Sequence, residues 1–345
     1  MTGPAFGTRA RPVAQTFAVA LLGVAAWNGL GLPLPWLLGP IAACLLAALA
    51  GLRLKGIAPL NDGMRTILGV AVGATLTPAT LAAFPAMWPT LALVPVMVIS
   101  IGLVGVPYFR WVWGFDPATS YYGAMPGGLQ DMLAFGEEAG GDVRALSLIH
   151  ATRVLVIVVA LPFLLTGIWQ ADLSNPPGVP ARTVPWQDLA LMAAASILGW
   201  RGAKAMGMFG ASILGPLLVA AVFALLGWLT NRPPAEAVWA AQFFIGMTVG
   251  AKYSGITGAE ARTDIVAALG LCLLLIGLTV VFVEIAYGFG LAPGMEALLA
   301  FAPGGQAELT VLAIIVGADL AFVVAHHMLR IFIVILGAPI VSRWL

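Results

Sequence analysis

The chain has 345 residues, of which 61% are hydrophobic and 9% charged, with a formal net charge of +1. Soluble domains carry roughly 25% charged residues, so this chain cannot cover itself for water, and its mean hydropathy of +1.01 agrees. The near-neutral balance excludes a basic nucleic-acid-binding module, and the length supplies about ten membrane-crossing helices.

The first predicted element covers about 14–32, behind Arg9 and Arg11. Basic residues followed by an apolar run resemble a cleavable signal peptide. The second half has a hydrophobic segment in the matching place, so the run reads as a retained first span. Further elements follow at about 36–54, 64–80 (Gly-rich, "ILGVAVGATLT"), 87–109, 115–139 and 142–168. A polar, Pro-rich stretch at 170–187, "QADLSNPPGVPARTVPWQ", reads as an extended aqueous connection. Six more elements follow at about 186–204, 211–230, 240–257, 264–290, 292–316 and 319–343. Cys44 and Cys272 sit alone in apolar runs and read as small buried hydrophobes, with no CxxC pair or disulfide framework.

The chain is written twice. Pro-Gly-Gly begins at 126 and again at 303, an offset of 177. The same offset pairs Gly73 with Gly250, Asp142 with Asp319, His150 with His327, Arg153 with Arg330 and Pro162 with Pro339. "LLGP" at 37–40 pairs with "ILGP" at 213–216, slipped by one residue. The chain therefore divides into membrane repeat 1 (1–169), a linker (170–187) and membrane repeat 2 (188–345).

The fifth element of each half, containing "AMPGGLQDM" or "FAPGGQAEL", decides topology. Pro lacks an N–H and Gly destabilises helix. Broken backbone is tolerated at membrane depth only where protein or a wet cavity receives its polar groups. If this element dips in and returns, each half crosses five times and the halves are inverted. Both termini are then cytoplasmic, and Lys and Arg, Arg343 included, concentrate inside, leaving only Arg182 and Arg232 outside. If it crosses fully, Arg144, Arg201, Lys204, Lys252 and Arg262 move outside and the asymmetry shrinks. The expected fold is an all-α polytopic membrane protein of two inverted repeats, each with about five spans and one broken Pro-Gly-Gly hairpin. Both breaks would meet near the midplane, where secondary transporters place their binding sites.

A helix that starts after a break exposes unpaired N–H groups and the positive end of its dipole. Pro126, Gly127 and Gly128, with Pro303, Gly304 and Gly305, are thus candidates for binding an anion. The bland alternative is a tight turn. Asp131 and Glu308 lie in the first turns that follow; each either complements the dipole or binds a coupling proton or cation. Arg153 and Arg330 lie eleven residues after Asp142 and Asp319, about 16 Å along a helix and near mid-bilayer. A central Arg costs at least about 2.5 kcal/mol, so each either meets a substrate or ties down carbonyls freed by the break. Asp142 and Asp319 are further coupling candidates. His150 and His327 either relay a proton or orient the neighbouring Arg. His326 has no twin and reads as packing; Glu284, also without a twin, is either buried and paired or near the outer interface. Gly69, Gly73, Gly246 and Gly250 form small-xxx-small faces for close helix packing, with the broken element as one partner.

This doubled pattern, Pro-Gly-Gly then an acid, Gly-x-Asp, His-x-x-Arg and Pro, resembles the AbrB family of integral membrane proteins over nearly the whole chain. Members carry labels such as ammonia monooxygenase or AbrB-type regulator. Glu-Met is common after Pro-Gly-Gly in that family; here the pairs are Asp131-Met132 and Glu308-Leu309. The resemblance implies a membrane protein with an indirect link to regulation. The broken-hairpin plan is also similar to the cation–proton antiporter and anion transporter group, an analogy of fold that names no substrate. Three His, two of them adjacent, do not suit an oxygenase metal centre. The expectation is an inner-membrane, multi-pass protein that is no enzyme and carries no cofactor or metal. It would exchange a small anionic solute coupled to protons or Na⁺. Its partners would be the bilayer, that solute and the coupling ion, without nucleic acid; a homodimer is compatible. The alternative is a membrane sensor or regulatory protein without net transport.

Overall fold

The computed structural model describes residues 7–174, 176–208, 210–255 and 259–341. Arg343 and both chain ends lie outside them. All regular elements among the described residues are helical. In chain order these are α1 (Gly7–Gly29), α2 (Pro35–Leu49), α3 (Ala58–Gly73), α4 (Pro78–Ala83), α5 (Trp88–Pro107), α6 (Pro117–Ala124), α7 (Leu129–Glu138) and α8 (Val143–Trp169). They continue with α9 (Trp186–Ala205), α10 (Ala211–Leu225), α11 (Ala235–Ala251), α12 (Ala259–Gly288), α13 (Gly294–Phe301), α14 (Gln306–Ile315) and α15 (Leu320–Val341). Among the described residues, four stretches are long and apolar enough to cross a membrane: Phe84–Val112, Val143–Trp169, Arg262–Gly288 and Leu320–Gly337. The first joins a 3₁₀ turn, α5 and a π turn at Tyr108–Val112 into one rod.

Each segment expected to be interrupted is two short helices. α6 has 8 residues and α7 has 10; α13 has 8 and α14 has 10. At 1.5 Å per residue, none of these spans the roughly 30 Å of hydrocarbon alone. Asp116 starts α6 by accepting the Thr119 N–H at 2.8 Å. Met125 and Gly128 are extended, with ψ of 133° and 138°, so the chain leaves α6 and enters α7 through two non-helical residues flanking Pro126 and Gly127.

The chain forms two compact units. The first comprises Met1–Ala82, Gln170–Ile256 and Thr310–Ala321. It is held by glycines that bring helix backbones together. A Cβ on Gly23 of α1 would overlap the Gly39 carbonyl of α2, and a Cβ on Gly199 of α9 would lie 2.5 Å from the Gly215 carbonyl oxygen of α10. Gly69 and Gly73 of α3 sit on the Ile213 and Leu217 carbonyls of α10; Gly246 and Gly250 of α11 sit on the Leu37 and Ile41 carbonyls of α2. The partner of these small faces is therefore the "LLGP" or "ILGP" helix of the opposite half, and not the broken element. Close backbone approach needs a ridge without side chains, and a Gly-Pro helix supplies its mate.

α2 and α10 start alike. Their N-caps, Leu34 and Gly210, are both left-handed, at φ 54° and 59°. For Leu that conformation costs about 1–2 kcal/mol. Leu34 is only 3% exposed, and full burial of a Leu contributes about 1.5–3 kcal/mol, so packing offsets the strain.

The second unit comprises Ala83–Trp169, Thr257–Leu309 and Phe322–Leu345. In it α5 seats the first break: a Cβ on Gly105 would meet Ala124, and one on Gly102 would meet Met125. Phe282 of α12 holds the second, with its ring 5.9 Å from that of Phe301.

Gly199→Ala should destabilise the protein by about 1–3 kcal/mol, because the Gly215 backbone cannot yield. Gly277→Ala, facing open space in α12, should stabilise by roughly 0.5–1 kcal/mol through helix propensity. Thermal unfolding of the two purified variants checks the opposite signs.

Candidate functional site

The site follows from what proline removes. In an unbroken helix the carbonyl of Tyr122 would accept the N–H of residue 126, and that of Leu299 the N–H of residue 303. Both positions are proline, so both carbonyls lose their donor. His150 Nε2 lies 3.0 Å from the Tyr122 carbonyl oxygen, and His327 Nε2 lies 2.8 Å from that of Leu299. A carbonyl only accepts, so Nε2 carries the proton in each ring. The histidine replaces the missing proline N–H.

One turn on, the arginines serve the carbonyls inside the break. Arg153 donates from Nη1 to Met125 O at 3.0 Å and from Nη2 to Gly127 O at 3.1 Å. Arg330 donates from Nη1 to Ala302 O at 2.7 Å and from Nη2 to Gly304 O at 3.2 Å. The planar guanidinium fork suits two carbonyls held at fixed spacing. His150, Arg153, His327 and Arg330 are all buried. The i, i+3 spacing puts each His and Arg on one helix face, and that face is the one turned to the break.

The glycines have a packing reason. A Cβ on Gly127 would collide with the Met132 side chain, at 2.7 Å from Cε. One on Gly304 would press on Leu309 and on Ile157, each at 3.0 Å. The residue after each carboxylate thus folds back over the first glycine. Tyr121, Tyr122, Met125, Met132 and Leu146 share this apolar surround with Val98 and Val334.

The carboxylates divide into two sorts. Asp142 caps α8, accepting the N–H groups of Arg144 and Ala145 at Oδ1, and its side chain is 49% exposed. Asp319, immediately before α15, is also exposed. The Asp142 backbone N–H donates to Thr119 Oγ1 of α6 at 2.7 Å. Asp131 lies half-buried in the first turn of α7, and Glu308 in the first turn of α14. Glu308 is 3% exposed, and its carboxylate lies over the α-carbon of Gly305.

The electrostatics are one-sided. Neither Arg153 nor Arg330 has a carboxylate partner among the described residues, and the Nε of each is buried without an acceptor. The two guanidinium charges lie within coulombic range of each other. His326 packs between aromatic rings, with centroids 4.2 Å from Phe322 and 5.6 Å from Phe301. Glu284 is exposed near the end of α12, beside Val280, Val281 and Phe289. Among the described residues no three His, Cys, Asp or Glu converge as metal ligands.

The doubled break with its His and Arg donors spans much of the chain, and so does the matching family model: "Transition state regulatory protein AbrB" matches residues 36–345. The chain belongs to the AbrB family. It is similar to "Uncharacterized protein YhjN" of Bacillus subtilis (strain 168), 28% identical over 340 residues, covering 90% of this chain and 86% of the relative. It is also similar to "Putative regulator AbrB" of Escherichia coli (strain K12), 26% identical over 322 residues, covering 91% of this chain and 90% of the relative.

If histidine stands in for proline's absent N–H, the two positions must be coupled in this AbrB-family chain. His150→Leu should cost about 1–3 kcal/mol by orphaning the Tyr122 carbonyl. Adding Pro126→Ala restores a backbone donor, so the double variant should recover about 1 kcal/mol of that loss. Melting temperatures of the two single variants and the double variant in detergent check the cycle.

Proposed function

We propose that this inner-membrane AbrB-family protein is a secondary transporter or exchanger of a small anionic solute, coupled to protons or Na⁺. The observation that carries the reading is the pair of buried guanidinium groups without carboxylate partners. Two buried positive charges that no carboxylate hydrogen-bonds favour a negative guest. The terminal nitrogens are engaged with carbonyls, so the attraction is one of charge and of the buried Nε–H that has no acceptor. The helix starts after Gly128 and Gly305 add N–H groups and dipole ends to the same place. No enzymatic step enters this reading.

The proposal includes inverted repeats, residues 1–169 and 188–345, with both termini cytoplasmic. Support comes from the repeated donor pattern at offset 177 and from the reciprocal pairing of α3 with α10 and α11 with α2. A cysteine at exposed Ser174, in the linker, should label with an impermeant maleimide from outside intact cells, while a C-terminal tag should be reached only after permeabilisation. Labelling of both from the same side overturns the antiparallel arrangement.

A second reading has a specific finding behind it: the matched family description and the Escherichia coli relative both carry the word regulator or regulatory. On that reading the same residues sense a solute without moving it. Small carboxylates should raise the melting temperature of the purified protein, while their neutral amides should not. At one hundred times Kd the stabilisation is about 2.7 kcal/mol. Stabilisation by neutral or cationic solutes only would sink the anion site. Counterflow of the stabilising carboxylate in proteoliposomes then favours exchange; binding without counterflow favours sensing.

A further inference from the structure

The two breaks share their donors but not their acids. Glu308 is 3% exposed, and its Oε2 has no hydrogen-bond partner among the described residues. Asp131, at the matching position, is less buried and is engaged by neighbouring groups. The Glu308 carboxylate turns back onto the start of its own helix, in contact with Gly305, where a Cβ would overlap Oε2. An unpaired carboxylate in an apolar interior is costly unless a cation joins it. The cationic side chains nearby do not serve. Arg330 is spent on the Ala302 and Gly304 carbonyls, and Arg153 on Met125 and Gly127. Nor do the histidines supply a donor: His327 Nε2 is committed to Leu299 O and His150 Nε2 to Tyr122 O. From α12 the titratable neighbour of Arg153 is Cys272, a buried thiol, and from α13 the acidic residue is Glu296 in its first turn.

We infer that Glu308 is the single coupling site, that its guest is a proton, and that Asp131 is not its equivalent. A proton needs one oxygen, whereas a metal ion needs several ligands, and among the described residues no three His, Cys, Asp or Glu converge to hold one. The step is simple: a carboxylate oxygen of Glu308 gains a proton from one aqueous side, forming an O–H bond, and returns it to the other side. The transport reading gives that proton its purpose, but the proton site can be tested apart from it.

The test is pH-difference infrared spectroscopy of the full chain in liposomes, with the proton itself as the probe. The wild type should show the carbonyl band of a protonated carboxylic acid that appears and disappears with pH. Glu308→Gln should lose it, Glu308→Asp should keep it at a shifted position, and Asp131→Asn should leave it intact. Labelling the wild-type chain with ¹³C-glutamate should move the band, a measurement that needs no variant to fold. A band unmoved by the label, or retained in Glu308→Gln with an unchanged melting temperature, overturns the inference. So does a band that follows Na⁺ at fixed pH instead of following pH. If the band is lost in Glu308→Gln while no carboxylate stabilises the protein, the proton site stands without the anion site. Stabilisation by carboxylates with the band retained in Glu308→Gln leaves the anion site and removes this one.

Discussion

A backbone carbonyl without a donor costs several kcal/mol where water cannot reach it, and each Pro-Gly-Gly creates such carbonyls in the middle of a buried segment. The structure answers with one imidazole and one guanidinium per break, delivered by the helix that follows. Tyr122, Met125 and Gly127 are served by His150 and Arg153; Leu299, Ala302 and Gly304 are served by His327 and Arg330. The price of using Arg in this way is a buried guanidinium at each break. That charge then becomes the electrostatic feature of the site. A structural need and a functional opportunity thus share the same side chain.

The two units solve the problem of helix contact differently. In the first, glycines press backbone on backbone, Gly199 on Gly215 and Gly69 on the Ile213 carbonyl. Such contacts have no soft side chain to absorb a change, and they make the helix pairs stiff. In the second, the breaks are packed by longer and more adaptable groups, Met125, Met132 and Leu309. Methionine tolerates shifts in its surroundings. Each unit's mechanical character follows from the residues at its contacts.

Much of this was legible beforehand, for physical reasons. A proline and two glycines must interrupt a helix, so the division into α6 and α7, and into α13 and α14, could be read from composition and spacing. The carbonyl-binding role of Arg153 was one of two open alternatives, because the cost of a central Arg demands some partner without naming it. The pairing of His150 with Tyr122 was not read, although its signal was present. Counting four residues back from proline identifies the orphaned carbonyl, and a polar side chain on the next helix was needed to serve it. The partner of Gly69 and Gly73 was misplaced because a small-residue face declares that something comes close, and never what. The difference between Asp131 and Glu308 was also invisible, since one methylene and the degree of burial depend on tertiary packing. Asp142 is in register with Arg153, and the cap it provides to α8 follows from its place at the start of a helix.

The glycine contact between α3 and α10 has a consequence for how the protein is made. Gly69 leaves the ribosome well before Ile213, the residue whose carbonyl it must meet. At about 5–20 residues per second, the wait is roughly seven to thirty seconds. During that interval α3 displays a bare glycine ridge to lipid, or to whatever insertion factor stands beside it. The nascent first half is therefore a client awaiting its own second half, and severing the chain at residues 170–187 would turn an internal handshake into a search between separate molecules.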